Sequence, residues 1–204
     1  MVDGTIGPMI PLVLGSTSRY RRELLERLRL PFEVCAPEVD ETARPGETPV
    51  ALALRLALAK ARAVAALRPD AAVIGADQVA DLDGLALGKP GDFEGARAQL
   101  RRLSGRTAVF HTALAVCRPA AGYERALVAP VRVRFRTLGD AEIERYLGLE
   151  QPYDCAGSAK CETLGIALLD SIESDDPTAL VGLPLIRTAQ LLREVGIDPV
   201  AEAR

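Results

Sequence analysis

The chain contains no tryptophan, one histidine, four tyrosines and four phenylalanines. So few rings leave little with which to stack along a nucleic-acid strand. The net charge of −3 also withholds the positive surface that displaces phosphate counterions. Nucleic acid is therefore not an expected partner. Nor is a membrane, because no apolar run reaches the length of a bilayer span. The opening MVDGTIGPMIP lacks the basic-then-apolar pattern of an export signal, so a cytoplasmic location is expected. Cys35, Cys117, Cys155 and Cys161 include no CxxC pair. With His111 as the only histidine, a zinc site is not expected, and the thiols are read as reduced and buried.

What is present is an ordinary globular composition, 49% apolar and 26% charged in 204 residues, enough for one well-buried domain. Leu12 to Leu14 reads as a strand, Gly15-Ser16-Thr17-Ser18 as a turn, and RYRRELLERLRL, with Leu24, Leu25 and Leu28 at helical spacing, as a helix. Unpartnered N–H groups at that helix start, with the serine hydroxyls and Arg21, suit an anion. The plainer alternative makes Ser18 a cap and leaves the arginines in solvent. Phe32 to Ala36 reads as a second strand. In the following EVDET, Glu38, Asp40 and Glu41 are either solvated or gathered around a divalent cation. Thr48-Pro49 begins a helix to about Leu67. Its Lys60 is either a surface lysine or an arm reaching into a cleft.

The stretch VIGADQVADLDGLALGKP, Val73 to Pro90, reads as a buried strand delivering Asp77-Gln78 at its end, a return through Asp83-Gly84, and Lys89 brought back beside the carboxylate. Such a pairing can hold a metal and a phosphate. Asp92 caps a helix to about Arg102, and Thr107–Cys117 pairs with Leu127–Arg136 across the turn-rich Pro119–Gly122. His111 falls within the first of these strands and is read as structural. A short helix from Gly139-Asp140 to Leu147, a loop from Tyr153 to Gly165, a short strand from Ile166 to Leu169 and an acidic loop from Glu173 to Asp176 follow. Val181-Gly182-Leu183-Pro184 then leads to a final helix ending near Val195. The alternation predicts a mixed α/β domain over 12–195, with terminal extensions at 1–11 and 196–204.

In order and spacing, GSTSRYRRELL, EVDET, LALAKA, GADQVA, LGKP and CAGSAKCETLG, followed by VGLPL, resemble the Maf family of nucleoside triphosphate pyrophosphatases from Leu12 to about Val195. The resemblance implies an ITPase-like, Maf-like architecture: an elongated mixed sheet flanked by helices, in two lobes with a central cleft. It implies α–β phosphoanhydride cleavage with a divalent metal cofactor, magnesium or manganese, and commonly a homodimer. By the same resemblance Ser16, Ser18, Arg21, Lys60 and Lys89 surround the phosphates. Asp77 is the proton acceptor, and Glu41 and Asp77 hold the metal, with Asp40 an open alternative to Glu41. Clustered cations suit a reaction that spreads negative charge over phosphate oxygens.

Three positions that separate branches of the family are Tyr20, Gln78 and Glu162 here. An aromatic residue, Gln and Glu resemble the branch acting on 7-methyl-GTP, whereas Arg, Thr and Gln mark the pyrimidine branch. Guanine offers two adjacent N–H donors that suit the two oxygens of Glu162. N7-methylation makes the base cationic, and a ring such as Tyr20 attracts a cation by roughly 0.5–2 kcal/mol. Cleavage of 7-methyl-GTP to 7-methyl-GMP and pyrophosphate is thus expected. The competing readings are UTP or dTTP cleavage and a non-catalytic nucleotide-binding regulator of cell division. Two departures bear on the base: Arg19 stands where family members often have proline, and Tyr20 replaces a larger tryptophan.

Overall fold

The computed structural model describes residues 9–204, so most of the extension expected over 1–11 lies outside it. The two apolar runs near Leu12 and Val73 become neighbouring parallel strands. β1 (Leu12–Gly15) pairs with β3 (Ala72–Leu82) from Leu12↔Ala72 to Gly15↔Gly75. β2 forms only over Glu33–Val34, on the far edge of β1. It is shorter than the Phe32–Ala36 expected, because Pro31 and Pro37 bracket it and neither can donate to a ladder.

β3 is longer than a single apolar run suggests. Its Val73–Asp81 segment pairs antiparallel with β5 (Thr107–Arg118), which continues into β6 (Tyr123–Phe135) through a turn at Gly122. β4 (Leu85–Leu87) folds back through Asp83-Gly84 onto Ala80–Leu82. β7 (Leu169–Glu173) closes the order β2-β1-β3-β5-β6-β7. The strand expected at Ile166–Leu169 is displaced: Leu164–Leu168 is a 3₁₀ turn, and β7 spans Leu169–Glu173. A Cβ on Gly165 would lie 2.5 Å from the backbone N and O of Lys160. This close approach forces the chain to turn where its apolar residues alone suggest extension.

Helices cover both faces. α1 (Arg19–Glu26) and α5 (Leu185–Glu194) bury Leu24, Leu25, Leu191 and Leu192 against Leu14, Ile74 and Leu114. α2 (Pro49–Leu67) lays Ala57, Ala61 and Val64 on Val73, Ala113 and Ala115 of the opposite face. A third core cluster forms farther along the strands, where α3 (Phe93–Leu103) and α4 (Asp140–Glu150) enclose Leu82, Phe110, Val131 and Phe135. The short α6 (Pro199–Glu202) lies in the carboxyl-terminal extension. The sheet is mixed and flanked by helices, as expected, with one apolar cluster on each face beside β1 and a third around α3 and α4 in the other lobe.

The cleft follows from the pairing. β5 occupies one edge of β3 throughout, while β1 leaves the other edge at Gly75 and β4 joins it only at Ala80. Ala76–Val79 therefore form an open edge between the lobes, beyond the carboxyl end of a parallel strand. Open α/β sheets bind ligands at such a place.

Candidate active site

A cavity of about 680 Å³ occupies this gap. One wall is the β1–α1 turn. Ser16 is buried, and its Oγ accepts from the Ser18 N–H at 3.2 Å and from Arg21 Nη1 at 3.3 Å. Ser18 caps α1 by accepting from the Arg21 N–H at 3.4 Å. The capping reading and the cleft reading are thus compatible, because the capped turn itself lines the cavity. Arg21 Nε donates to the Gly182 carbonyl at 3.3 Å, fastening the VGLP segment to this wall. Burial pushes the Arg21 guanidinium pKa down, opposed by the nearby Asp77 and Glu41 carboxylates.

Lys60 lies on the buried stripe of α2 with Ala53, Leu56, Ala57, Ala61 and Val64, so it is not a surface lysine. Its Nζ is 2.7 Å from Glu41 Oε1 and 2.7 Å from Asp77 Oδ1. The Lys60 hydrogen bond is the main reason that the Glu41 carboxyl sits below its ordinary pKa, against an opposing effect of partial burial. Of the acidic cluster, Glu41 reaches the cavity. Asp40 instead accepts from the Thr42 N–H at 2.9 Å in a local turn.

Asp77 and Gln78 stand in the middle of β3, not at its end as the sequence suggests. The end that matters belongs to β1. Successive residues of a strand point to opposite faces, yet both line the cavity because it wraps around the open edge. The Gln78 amide nitrogen donates to Thr112 Oγ1 at 2.8 Å and approaches the Ala179 and Leu180 carbonyls at 3.1 and 3.0 Å. With its N–H groups committed, the free capacity of Gln78 is its carbonyl oxygen, an acceptor.

Lys89 is exposed at the rim just after β4 and draws Glu41 further below its ordinary pKa. Gln99 of α3 braces this region, a role the sequence did not reveal. Its Nε2 donates to the Gly88 carbonyl at 2.7 Å, and its Oε1 accepts from the Gly157 N–H at 3.2 Å and Ser158 Oγ at 2.9 Å. Gly157 has φ +80° and abuts the Phe110 ring, a conformation and contact that leave no space for a side chain.

Tyr20 lines the cavity together with Asp154, Lys160 and Glu162, and Asp154 and Lys160 are near enough to act on its hydroxyl. The Arg19 guanidinium lies 4.9 Å from the Tyr20 ring centroid. Lys160 Nζ is 3.4 Å from Asp154 Oδ1. Glu162 is exposed, and its Oε2 accepts from Cys161 Sγ at 3.6 Å. Burial pushes the thiols of Cys155 and Cys161 up to about 12, so both stay protonated near neutrality. Asp154 and Lys160 had no assigned role at the sequence level, although Lys160 lies inside CAGSAKCETLG. His111 Nε2 meets Asp81 Oδ2 at 3.0 Å, and the pair is not part of the cavity lining.

Among the described residues, no three His, Cys, Asp or Glu side chains converge as a cation site. Glu41 and Asp77 nevertheless supply two hard oxygen donors. That set fits magnesium or manganese, which commonly complete their shell with water and substrate phosphates.

A basic turn at a strand end, a buried lysine between carboxylates and a second lysine at the rim define an α/β protein with a cleft between lobes lined by cationic side chains. The chain belongs to the Maf family: the model for "Maf-like protein" matches residues 11–195. It is 67% identical over 192 residues to the 7-methyl-GTP pyrophosphatase of a Polaromonas species, covering 94% of this chain and 88% of that protein. It is 63% identical over 186 residues to the 7-methyl-GTP pyrophosphatase of Albidiferax ferrireducens, covering 91% and 94%. The Bordetella pertussis protein of the same name is 60% identical over 195 residues, covering 95% and 97%.

Proposed function

We propose that the protein hydrolyses 7-methyl-GTP to 7-methyl-GMP and pyrophosphate, removing a modified nucleotide. The observation that carries this reading is the lining of one cavity. Arg21, Lys60 and Lys89 all act on Glu41, which shares Lys60 with Asp77, while Tyr20 keeps company with Asp154 and Lys160, and the lining also offers two acceptors, Gln78 Oε1 and Glu162. The relatives' shared name agrees with that lining.

The reaction proceeds as follows. Asp77 orients a water and takes its proton as the water oxygen bonds to the α-phosphorus. The bond to the bridging oxygen breaks, and pyrophosphate leaves with the electron pair. Arg21, Lys60 and Lys89 stabilise the charge that grows on the phosphate oxygens. Glu41 and Asp77 would hold a divalent cation, magnesium or manganese, which supplies further neutralisation of that charge. A homodimer and a cytoplasmic location belong to the same reading. No helix among the described residues is long and apolar enough to cross a membrane.

The test offers 7-methyl-GTP, GTP, UTP and dTTP separately with magnesium or manganese and identifies products by mass. Release of 7-methyl-GMP and pyrophosphate well ahead of the other reactions is expected. Preference for UTP or dTTP would discard the base assignment, and no turnover of any would discard the enzyme. Glu162→Gln replaces an acceptor pair by an amide that presents one donor to guanine's N–H groups. It should lower kcat/KM for 7-methyl-GTP by roughly tenfold or more and raise the relative rate on UTP. An unchanged ratio would remove Glu162 from base reading.

Arg19 modulates the other contact. A cationic base stacked on Tyr20 must share the ring with a guanidinium or displace it. Arg19→Gln should therefore increase the 7-methyl-GTP over GTP ratio of kcat/KM by a factor of about 3. Equal losses on both substrates would instead make Arg19 a phosphate contact.

A further inference from the structure

The Lys60 ammonium stands between Glu41 and Asp77, the two carboxylates that would hold the cation. Its Nζ touches both carboxylates at 2.7 Å, and its side chain is only 7% exposed. Two of its three donors are thereby committed. The trio carries one net negative charge in place of two. Arg21 adds positive field, since Asp77 and Glu41 both act on its guanidinium. A divalent cation entering alone would face this lysine at close range beside the buried Asp77, where like-charge repulsion is strong, although Glu41, 61% exposed, leaves one side of the site open to solvent. It would also have to separate a buried ion pair and leave the ammonium without a partner, which is costly.

A polyphosphate changes that balance. Its oxygens give Lys60 a new anionic partner and give the cation further ligands, so the carboxylates can be released without stranding any charge. We infer that Lys60 keeps Glu41 and Asp77 closed to divalent cations until a nucleotide arrives, so that cation and nucleotide enter together. This rests on the assignment of Glu41 and Asp77 as cation donors made under the proposed function. It predicts an outcome opposite to that of a simple phosphate-binding lysine: removing Lys60 opens the cation site in the nucleotide-free protein.

The experiment titrates manganese into nucleotide-free protein by calorimetry, with free ion followed by paramagnetic resonance. Wild type should bind weakly. Lys60→Met should bind at least about tenfold tighter, because two bare carboxylates remain, and the double variant Lys60→Met/Asp77→Asn should lose that gain. Wild type itself supplies a second readout that does not require the variant to fold. Its melting temperature should be unmoved by manganese alone, and should rise further with manganese plus the α,β-methylene analogue of 7-methyl-GTP than with the analogue alone. Wild-type protein that binds manganese as tightly without nucleotide as Lys60→Met overturns the role of Lys60 and leaves the cation donors standing. Folded Lys60→Met that binds no manganese overturns the donors as well. The hydrolysis assay reports on the activity independently of either result.

Discussion

Asp77→Asn is expected to lower kcat on 7-methyl-GTP by about 10²–10⁴-fold, the usual span for a lost general base, while nucleotide affinity without metal changes only a few-fold. The expectation rests on where Asp77 sits. It is nearly buried, at 8% exposure, at the open edge of β3 and hydrogen-bonded to Lys60 at 2.7 Å. An asparagine has the same shape and its carbonyl oxygen can still accept from Lys60, so the wall of the cleft is retained. What disappears is the charge and the capacity to take a proton. Steady-state rates measure the first effect, and equilibrium binding of the α,β-methylene analogue of 7-methyl-GTP without added metal measures the second. A fall of less than tenfold would move the proton-acceptor role to Glu41, the other carboxylate on Lys60. Wild-type protein that binds the analogue and turns over no nucleotide would instead favour a nucleotide-binding regulator.

The elements that set up this site were legible where local chemistry decides. Ser18, Thr48 and Asp92 cap the helices their residue types announce, accepting from Arg21, Ala51 and Gly95 N–H groups respectively. The position of Asp77-Gln78 was not legible in the same way. A strand's end can be read along a sequence, but the open edge of β3 exists because β1 stops and β4 starts beside it. Pairing between distant segments fixed that. Lys60 was ambiguous by residue type, although its spacing from Ala53, Leu56, Ala57 and Val64 placed it on the stripe that α2 buries. Periodicity carried the signal that composition lacked.

Gln78 and Gln99 illustrate a different limit. A glutamine offers a donor end and an acceptor end, and the sequence does not say which one the protein will consume. In Gln78 the Thr112 hydroxyl and two carbonyls consume the donors, leaving an acceptor for a base with N–H groups. Gln99 reaches Gly88 and Ser158 across 11 and 59 residues, so no short motif could contain it. The strand expected at Ile166–Leu169 failed for a similar reason, since the turn there depends on Gly165 packing against the backbone of Lys160.

Gly75→Ala should be among the most damaging small substitutions in the fold, costing about 3 kcal/mol and lowering the melting temperature by about 6–12 °C. A Cβ at Gly75 would collide with the Ala57 carbonyl oxygen and lie 2.5 Å from the Ala61 nitrogen and 2.8 Å from its Cβ. These are mainly backbone atoms one helical turn apart, so no rotamer change can relieve the contact. α2 must lift from β3. Lys60 lies between those two alanines, and lifting the helix withdraws its ammonium from Asp77 on the same strand. Hydrolysis should therefore fall by about tenfold or more even at a temperature where the variant is folded, because catalytic geometry tolerates little displacement. Gly148→Ala provides the contrast: it lies in α4 with nothing within 4 Å of an added Cβ, and helix propensity alone should stabilise it by up to about 1 kcal/mol. Thermal melts of the two variants, with rates measured below both transitions, separate the effects. Wild-type melting and wild-type rate in Gly75→Ala would mean that α2 does not rest on β3 closely enough for this glycine to set the position of Lys60.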